Sequence, residues 1–119
     1  MNLRPKTIFC DIDGTLIKHH GALSDQVITV PELLEGVLKK LNEWDGKGYN
    51  IILTTGRRES LRPITEKHLS DLGIAYDQLI MGLGGGTRVL INDLKTYSDE
   101  PTAVAINLKR NEGVKNVEI

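Results

Sequence analysis

The sequence predicts an α/β domain: a three-layer, doubly wound parallel sheet of Rossmann-like type. Two observations carry that expectation. Short β-rich runs alternate along the chain with segments whose apolar residues recur at helical spacing. The first of these runs, Thr7-Ile8-Phe9-Cys10, is apolar on both faces, as a central buried strand of a parallel sheet is. All 119 residues are read as one domain, a length that buries roughly two-thirds of its unfolded surface without staples.

The elements follow in order. Residues 16–30 are irregular, holding His19, His20, Gly21 and Asp25, and read as a loop or small hairpin. Pro31 suits a first helical turn, and Leu33, Leu34, Val37, Leu38, Leu41 and Trp44 follow at helical spacing until Gly46 and Gly48. Residues 49–54 form a second strand centred on Ile51-Ile52-Leu53. Pro63 opens or bends a second helix carrying Leu61, Ile64, Leu69 and Leu72, which Gly73 ends. Leu79-Ile80-Met81, Val89-Leu90-Ile91 and residues 103–106 predict a third, fourth and fifth strand, and residues 114–119 an edge strand.

Composition narrows the function. Fifteen basic residues face sixteen acidic ones, a net charge of -1, which argues against a general nucleic-acid binder. Apolar runs are too short to span a bilayer, and residues 1–6 lead into no apolar leader segment, so a cytoplasmic protein is expected. A single cysteine, Cys10, excludes an internal disulfide and a multi-cysteine metal site.

Ligands of doubly wound sheets bind beyond the carboxyl ends of the strands, and three strand ends here are polar. Asp11 and Asp13 alternate on an extended chain and so point to one side, and Gly14 lets the backbone turn sharply after them. Two such carboxylates repel unless a cation or a shared proton separates them. Mg²⁺, which takes one or two carboxylates plus substrate phosphate, answers that need. The plainer alternative is an ordinary Asp-Gly turn. Thr55, Gly56 and Arg57 follow the second strand and offer a hydroxyl, free backbone N–H groups and a planar cation as a phosphate cradle. Asn92 and Asp93 close the fourth strand.

Taken together, the chain resembles the haloacid dehalogenase superfamily of phosphohydrolases. Asp11 to Thr15 match its Asp-x-Asp-Gly-Thr motif, residues 51–55 its second motif, and Asn92-Asp93 its fourth. The resemblance implies that Asp11 is the nucleophile that forms an aspartyl-phosphate and Asp13 the general acid and base. It also implies Mg²⁺ held by Asp11, the Asp13 carbonyl and Asp93, with Asn92 orienting a metal-bound water. Thr55 would hold phosphoryl oxygens, and Gly14, Thr15 and Gly56 would line the substrate. The third motif departs from the pattern: Leu83 stands where a lysine is expected, leaving Arg57 and Arg88 as candidate cations. Five strand positions separate Arg88 from Asp93 by about 16 Å, so the spacing favours Arg57 for the phosphate and a stabilising role for Arg88. The glycines of residues 82–86 do not complete a dinucleotide fingerprint, since a strand follows them.

Room for inserted caps is lacking, and members without caps have open sites that take larger substrates or recruit a partner or further copy as a lid. The looser resemblance is to small capless phosphatases near surface-polysaccharide pathways, which implies a small phosphorylated substrate such as a sugar phosphate. Two alternatives stand beside it: a phosphoacceptor or phosphate-binding regulatory module, and a phosphatase of nucleic-acid ends, which the acidic balance disfavours. Elsewhere the expectations are plain. Cys10 and Trp44 belong to the core, and Lys39-Lys40 to a solvated helix face. His19 and His20 are a surface pair in a flap that touches substrate more readily than metal, and His68 is a boundary or surface residue. Residues 107–111 form a polar loop on the ligand side.

Overall fold

The computed structural model describes residues 4–119; residues 1–3, part of the opening read as lacking leader character, lie outside the described residues. Along the chain come β1 (Thr7–Asp11), α1 (Leu23–Ile28), α2 (Val37–Gly46), β2 (Asn50–Thr54), a short 3-10 turn (Glu59–Leu61), α3 (Arg62–Asp71) and β3 (Gln78–Ile80). The three strands are parallel in the order β1-β2-β3. Parallel neighbours require a crossover, and α2 and α3 supply the two. The all-apolar centre Ile51-Ile52-Leu53 is buried throughout, as a central strand must be.

The register fixes the site. Asp11 is paired with Thr54, and Thr54 with Ile80, so all three strands end at one level. Beneath that level lies the core, in which Ile12, Leu16, Ile17, Val37, Leu41, Trp44, Leu53 and Leu69 are buried. Cys10 is buried as expected, and burial, with the charge of Asp11 adding to it, pushes its thiol up to about 12. Such a thiol stays protonated and inert at neutral pH. No helix among the described residues is long and apolar enough to cross a membrane.

Several elements differ from the sequence expectation: β1, expected as a central buried strand, lies at an edge with Phe9 55% exposed, and part of the loop expected over residues 16–30 forms α1. The first long helix begins at Val37 rather than near Pro31. The preceding residues are held by residues 16–18 instead: Lys18 N–H donates to the Glu32 carbonyl, Leu34 N–H to that of Leu16, and Ile17 bridges Leu33. Lys40 is buried, not solvated, with its ammonium 3.1 Å from Glu118 and 3.7 Å from Glu43. Its partner Glu118 belongs to residues 114–119, which form no edge strand but an irregular segment strapped to α2, anchored by buried Val114 and a Lys115–Glu35 pair at 2.9 Å.

The fourth and fifth strands are absent as strands. Residues 82–110 run as an exposed irregular segment, with Val89 and Ile91 77% and 89% exposed. Gly82 and Gly84 take positive φ directly after β3, turning the chain out of the strand path before residues 89–91 can pair. Hydrogen bonds within the segment are local, such as Thr102 Oγ1 to the Asp93 carbonyl at 2.7 Å. Apolar triplets signal a strand only where a neighbour completes the ladder.

At the N-terminus of α2, Gly36 has φ 77°, and a Cβ there would lie 2.6 Å from Lys115 Cβ. Gly36→Ala therefore carries both backbone strain and a clash with the strap. It is expected to cost about 1–3 kcal/mol, read as a fall in the urea midpoint.

Candidate active site

The turn that follows β1 is built on one carbonyl. Ile12 C=O accepts the N–H groups of Thr15, Leu16 and Ile17, and Gly14 N–H donates to Ile17 C=O at 2.7 Å. Gly14 adopts φ 90°, and the 107–111 loop closes over it, Asn111 N–H donating to Gly14 C=O at 2.8 Å. This tight turn holds Asp11 and Asp13 on the wall of one cleft of about 350 Å³, together with Thr55, Gly56, Arg57, His19, Gln26, Gly84, Gly85 and Arg110.

The two carboxylates meet different surroundings. Asp11 is half-buried; Thr15 Oγ1 donates to its Oδ2 at 3.4 Å, and Arg88 Nη2 stands 3.7 Å from its Oδ1. Burial raises its pKa, Asp13 adds to the rise, and Arg88, Thr15 and the Ile12 N–H oppose it. Asp13 is clamped by Arg57: Nε donates to Oδ2 at 2.9 Å and Nη2 to Oδ1 at 2.8 Å. Gln26 Nε2 donates to the same Oδ1 at 2.8 Å.

Arg57 is 1% exposed, and its remaining Nη1 donates to Thr65 Oγ1 at 3.1 Å and faces His68 Nδ1 at 3.3 Å. Burial, and then the Arg57 charge, lower the His68 pKa, which keeps the imidazole neutral. A neutral ring with Nδ1 toward an arginine N–H carries its proton on Nε2, a tautomer assigned from this network. Arg57 N–H donates to Thr55 Oγ1 at 3.1 Å, which leaves the Thr55 hydroxyl proton free to donate in turn.

The expected fork from Arg57 to a phosphate is thus not what the structure places: that fork is spent on Asp13. Arg88 is instead the cation beside Asp11. An extended run from residue 88 to 93 would keep Arg88 far from the strand end, whereas the glycine-rich turn folds it back. Gly56 also fits this turn closely, since a Cβ on it would lie 3.3 Å from Gly84 C=O. Asn92 and Asp93 are not brought to the cleft; both are exposed on the 82–110 segment, and Asp93 pairs with Lys95 at 3.8 Å.

Among the described residues no three His, Cys, Asp or Glu side chains gather into a metal cluster. The donor chemistry at Asp11 nonetheless fits Mg²⁺. A half-buried carboxylate, with main-chain carbonyls on the same turn, matches an ion that keeps one or two carboxylates and fills its shell with water and phosphate oxygens. Asp93 is not part of that set in this structure.

Gln26, Thr65, His68 and Asn111 escape a sequence reading as site residues. Asn111 Oδ1 accepts His19 N–H at 2.7 Å, and its Nδ2 donates to His19 C=O at 3.3 Å, joining flap to loop. The one signal was the polar character of residues 107–111.

A parallel sheet with an Asp-x-Asp turn at the carboxyl end of its first strand and a Thr-Gly-Arg at the next defines a Rossmann-like hydrolase core, and no cap domain stands among the described residues. The haloacid dehalogenase-like hydrolase family matches residues 8–105, and the chain belongs to that family. Two solved structures of a Pnkp1/Rnl/Hen1 complex, one described as an RNA repair complex, contain a similar chain. The first is 33% identical, with TM-score 0.58, over 65% of this chain and 27% of that one. The second is 31% identical, with TM-score 0.57, over 80% and 28%. This chain thus spans little more than a quarter of the proteins it matches there. A crystal structure of a Vibrio cholerae target, 20% identical with TM-score 0.54 over 74% and 79%, shares the fold. No curated protein is matched by the chain.

Arg57→Ala strands Asp13 in a buried place without its cation, so it is expected to cost about 3–5 kcal/mol of stability. Arg88→Ala, at a half-exposed side chain, is expected to stay within about 0.5 kcal/mol. Urea unfolding of the two variants checks this, and the opposite ranking would refute the assignment of Arg57 to Asp13.

Asp11 also couples stability to pH. Its folded pKa is raised, chiefly by burial, so its contribution to stability is full below the unfolded value and lost as pH rises through the folded one. Asp11→Asn is therefore expected to melt higher than the parent at neutral pH, with the gap closing below about pH 4. Melting temperatures across that range test the sign.

Proposed function

We propose that this chain is a Mg²⁺-dependent phosphatase acting on a phosphate monoester. The observation that carries the reading is the divided environment of two carboxylates on one turn. Asp11 is open to the cleft, whereas Asp13 is clamped by the Arg57 fork. The clamp fixes one carboxylate in direction and leaves the other open to a substrate, a division that suits one positioned proton carrier beside one attacking group.

In this reading Asp11 attacks phosphorus in line and takes the phosphoryl group as an aspartyl-phosphate. Asp13 gives a proton to the leaving ester oxygen, then takes one from the water that releases phosphate. The Thr55 hydroxyl and neighbouring backbone N–H groups hold phosphoryl oxygens, and Arg88 adds fixed positive charge on the Asp11 side. The Asp11 carboxylate and the Asp13 carbonyl would hold Mg²⁺, which would supply the charge that lets carboxylate and phosphate approach.

The substrate class has two readings. A small sugar phosphate accords with a net charge near zero. A phosphorylated nucleic-acid end is supported by the likeness to the RNA repair complex, together with a rim of Arg88, Arg110 and His19 on a cleft without a cap.

Phosphate release from nitrophenyl phosphate, with and without Mg²⁺, tests the reaction, and a panel of sugar phosphates, nucleotides and end-phosphorylated oligonucleotides tests the substrate. Mg²⁺-dependent release is expected, and Asp11→Asn is expected to lower kcat by at least about a thousandfold while still folding. Near-normal turnover by that folded variant would exclude the covalent route.

A further inference from the structure

We propose that Gln26 is a positioning residue for the acid–base carboxylate, holding Asp13 so that its Oδ2, not Oδ1, carries the proton of the reaction. This rests on the phosphatase reading above and goes beyond it by assigning the reacting oxygen and the group that selects it.

Gln26 is 3% exposed on α1, and both ends of its amide are engaged. Nε2 donates to Asp13 Oδ1 and to the Lys18 carbonyl, each at 2.8 Å, while Oε1 accepts His20 N–H at 2.7 Å. These partners fix the amide's orientation. Turned over, it would set an oxygen against a carboxylate and a carbonyl, and an NH₂ against an N–H.

The count of lone pairs then decides between the two oxygens. Oδ1 accepts Arg57 Nη2 and Gln26 Nε2, which fills its two acceptor sites. Oδ2 accepts only Arg57 Nε among these donors and keeps one site for a proton. In the forward step the proton on Oδ2 passes to the ester oxygen. The phosphorus–oxygen bond to the leaving group breaks as a bond forms from phosphorus to an Asp11 oxygen. Without Gln26 the second site on Oδ1 reopens, the proton divides between two oxygens, and the flap at residues 18–20 loses its tie to the carboxylate.

Need for an acid depends on the leaving group, so the test compares esters. Nitrophenolate leaves without a proton, whereas an alkoxide does not. For Gln26→Leu, kcat/KM on an alkyl phosphate is expected to fall about tenfold further than on nitrophenyl phosphate. A structural role would move both substrates alike, and an equal fall on both, or none on either, overturns the proposal. If Gln26→Leu lacks a cooperative unfolding transition, Gln26→Met, of similar length but with no donor toward Asp13, must show the same selective loss. Failure of the parent protein to release phosphate from either ester with Mg²⁺ would instead remove the phosphatase reading itself.

Discussion

The buried pair of Arg57 and Asp13 is the interaction on which the rest of the site depends. Taking a guanidinium and a carboxylate out of water costs several kcal/mol per ion, roughly, and is repaid only where geometry and further hydrogen bonds are complete. Here they are. Three donors reach Asp13, and the remaining face of Arg57 is met by Thr65 and His68. The neutral state of His68 is part of the arrangement, since a second cation against Arg57 would undo the balance. The pair also joins distant parts of the chain: the turn after β1, the end of β2 and the inner face of α3.

That one clamp makes the two aspartates unlike. Asp11 precedes the turn, keeps its carboxylate toward the cleft, and has its negative charge disfavoured mainly by burial. Asp13 gives up its freedom to Arg57 and gains a fixed direction. A site needing one attacking group and one steady proton carrier is served by such asymmetry, and a free rotamer at Asp13 would defeat it. The deep side of the cleft, from Thr55 through Arg57 to His68, is buried and tied together by hydrogen bonds. The outer side, with Arg88, Arg110 and His19, is open.

Much of this was legible in the sequence where the information is local. The three observed strands, the burial of Trp44 and Cys10, and the convergence of Asp11, Asp13 and Thr55 follow from periodicity and from where strands end. What was not legible depends on contacts between segments far apart. Gln26 and His68 bear no local mark of their roles, because each gains one only when α1 and α3 meet the first turn. Arg57 and Arg88 were assigned by distance along an extended strand, and the glycines of residues 82–86 remove that premise. Val89-Leu90-Ile91 has strand composition, but composition cannot supply a neighbour.

The division of the cleft into a bonded floor and an open rim bears on how specificity is set. Floor groups are held by bonds to one another, so replacing one leaves another unsatisfied and is felt as lost stability. Rim groups such as Arg88 and Arg110 have few such ties and can change at little cost to the fold. Charge on the rim still acts on an approaching anion, because cations gathered at a cleft mouth raise the local concentration of anions. On the proposed reading, reaction chemistry resides in the floor that Arg57 organises, and choice among phosphate esters in the rim. Residues 82–86 connect the two. Their turn lies against Gly56 in the floor and, by folding back, delivers Arg88 to the rim.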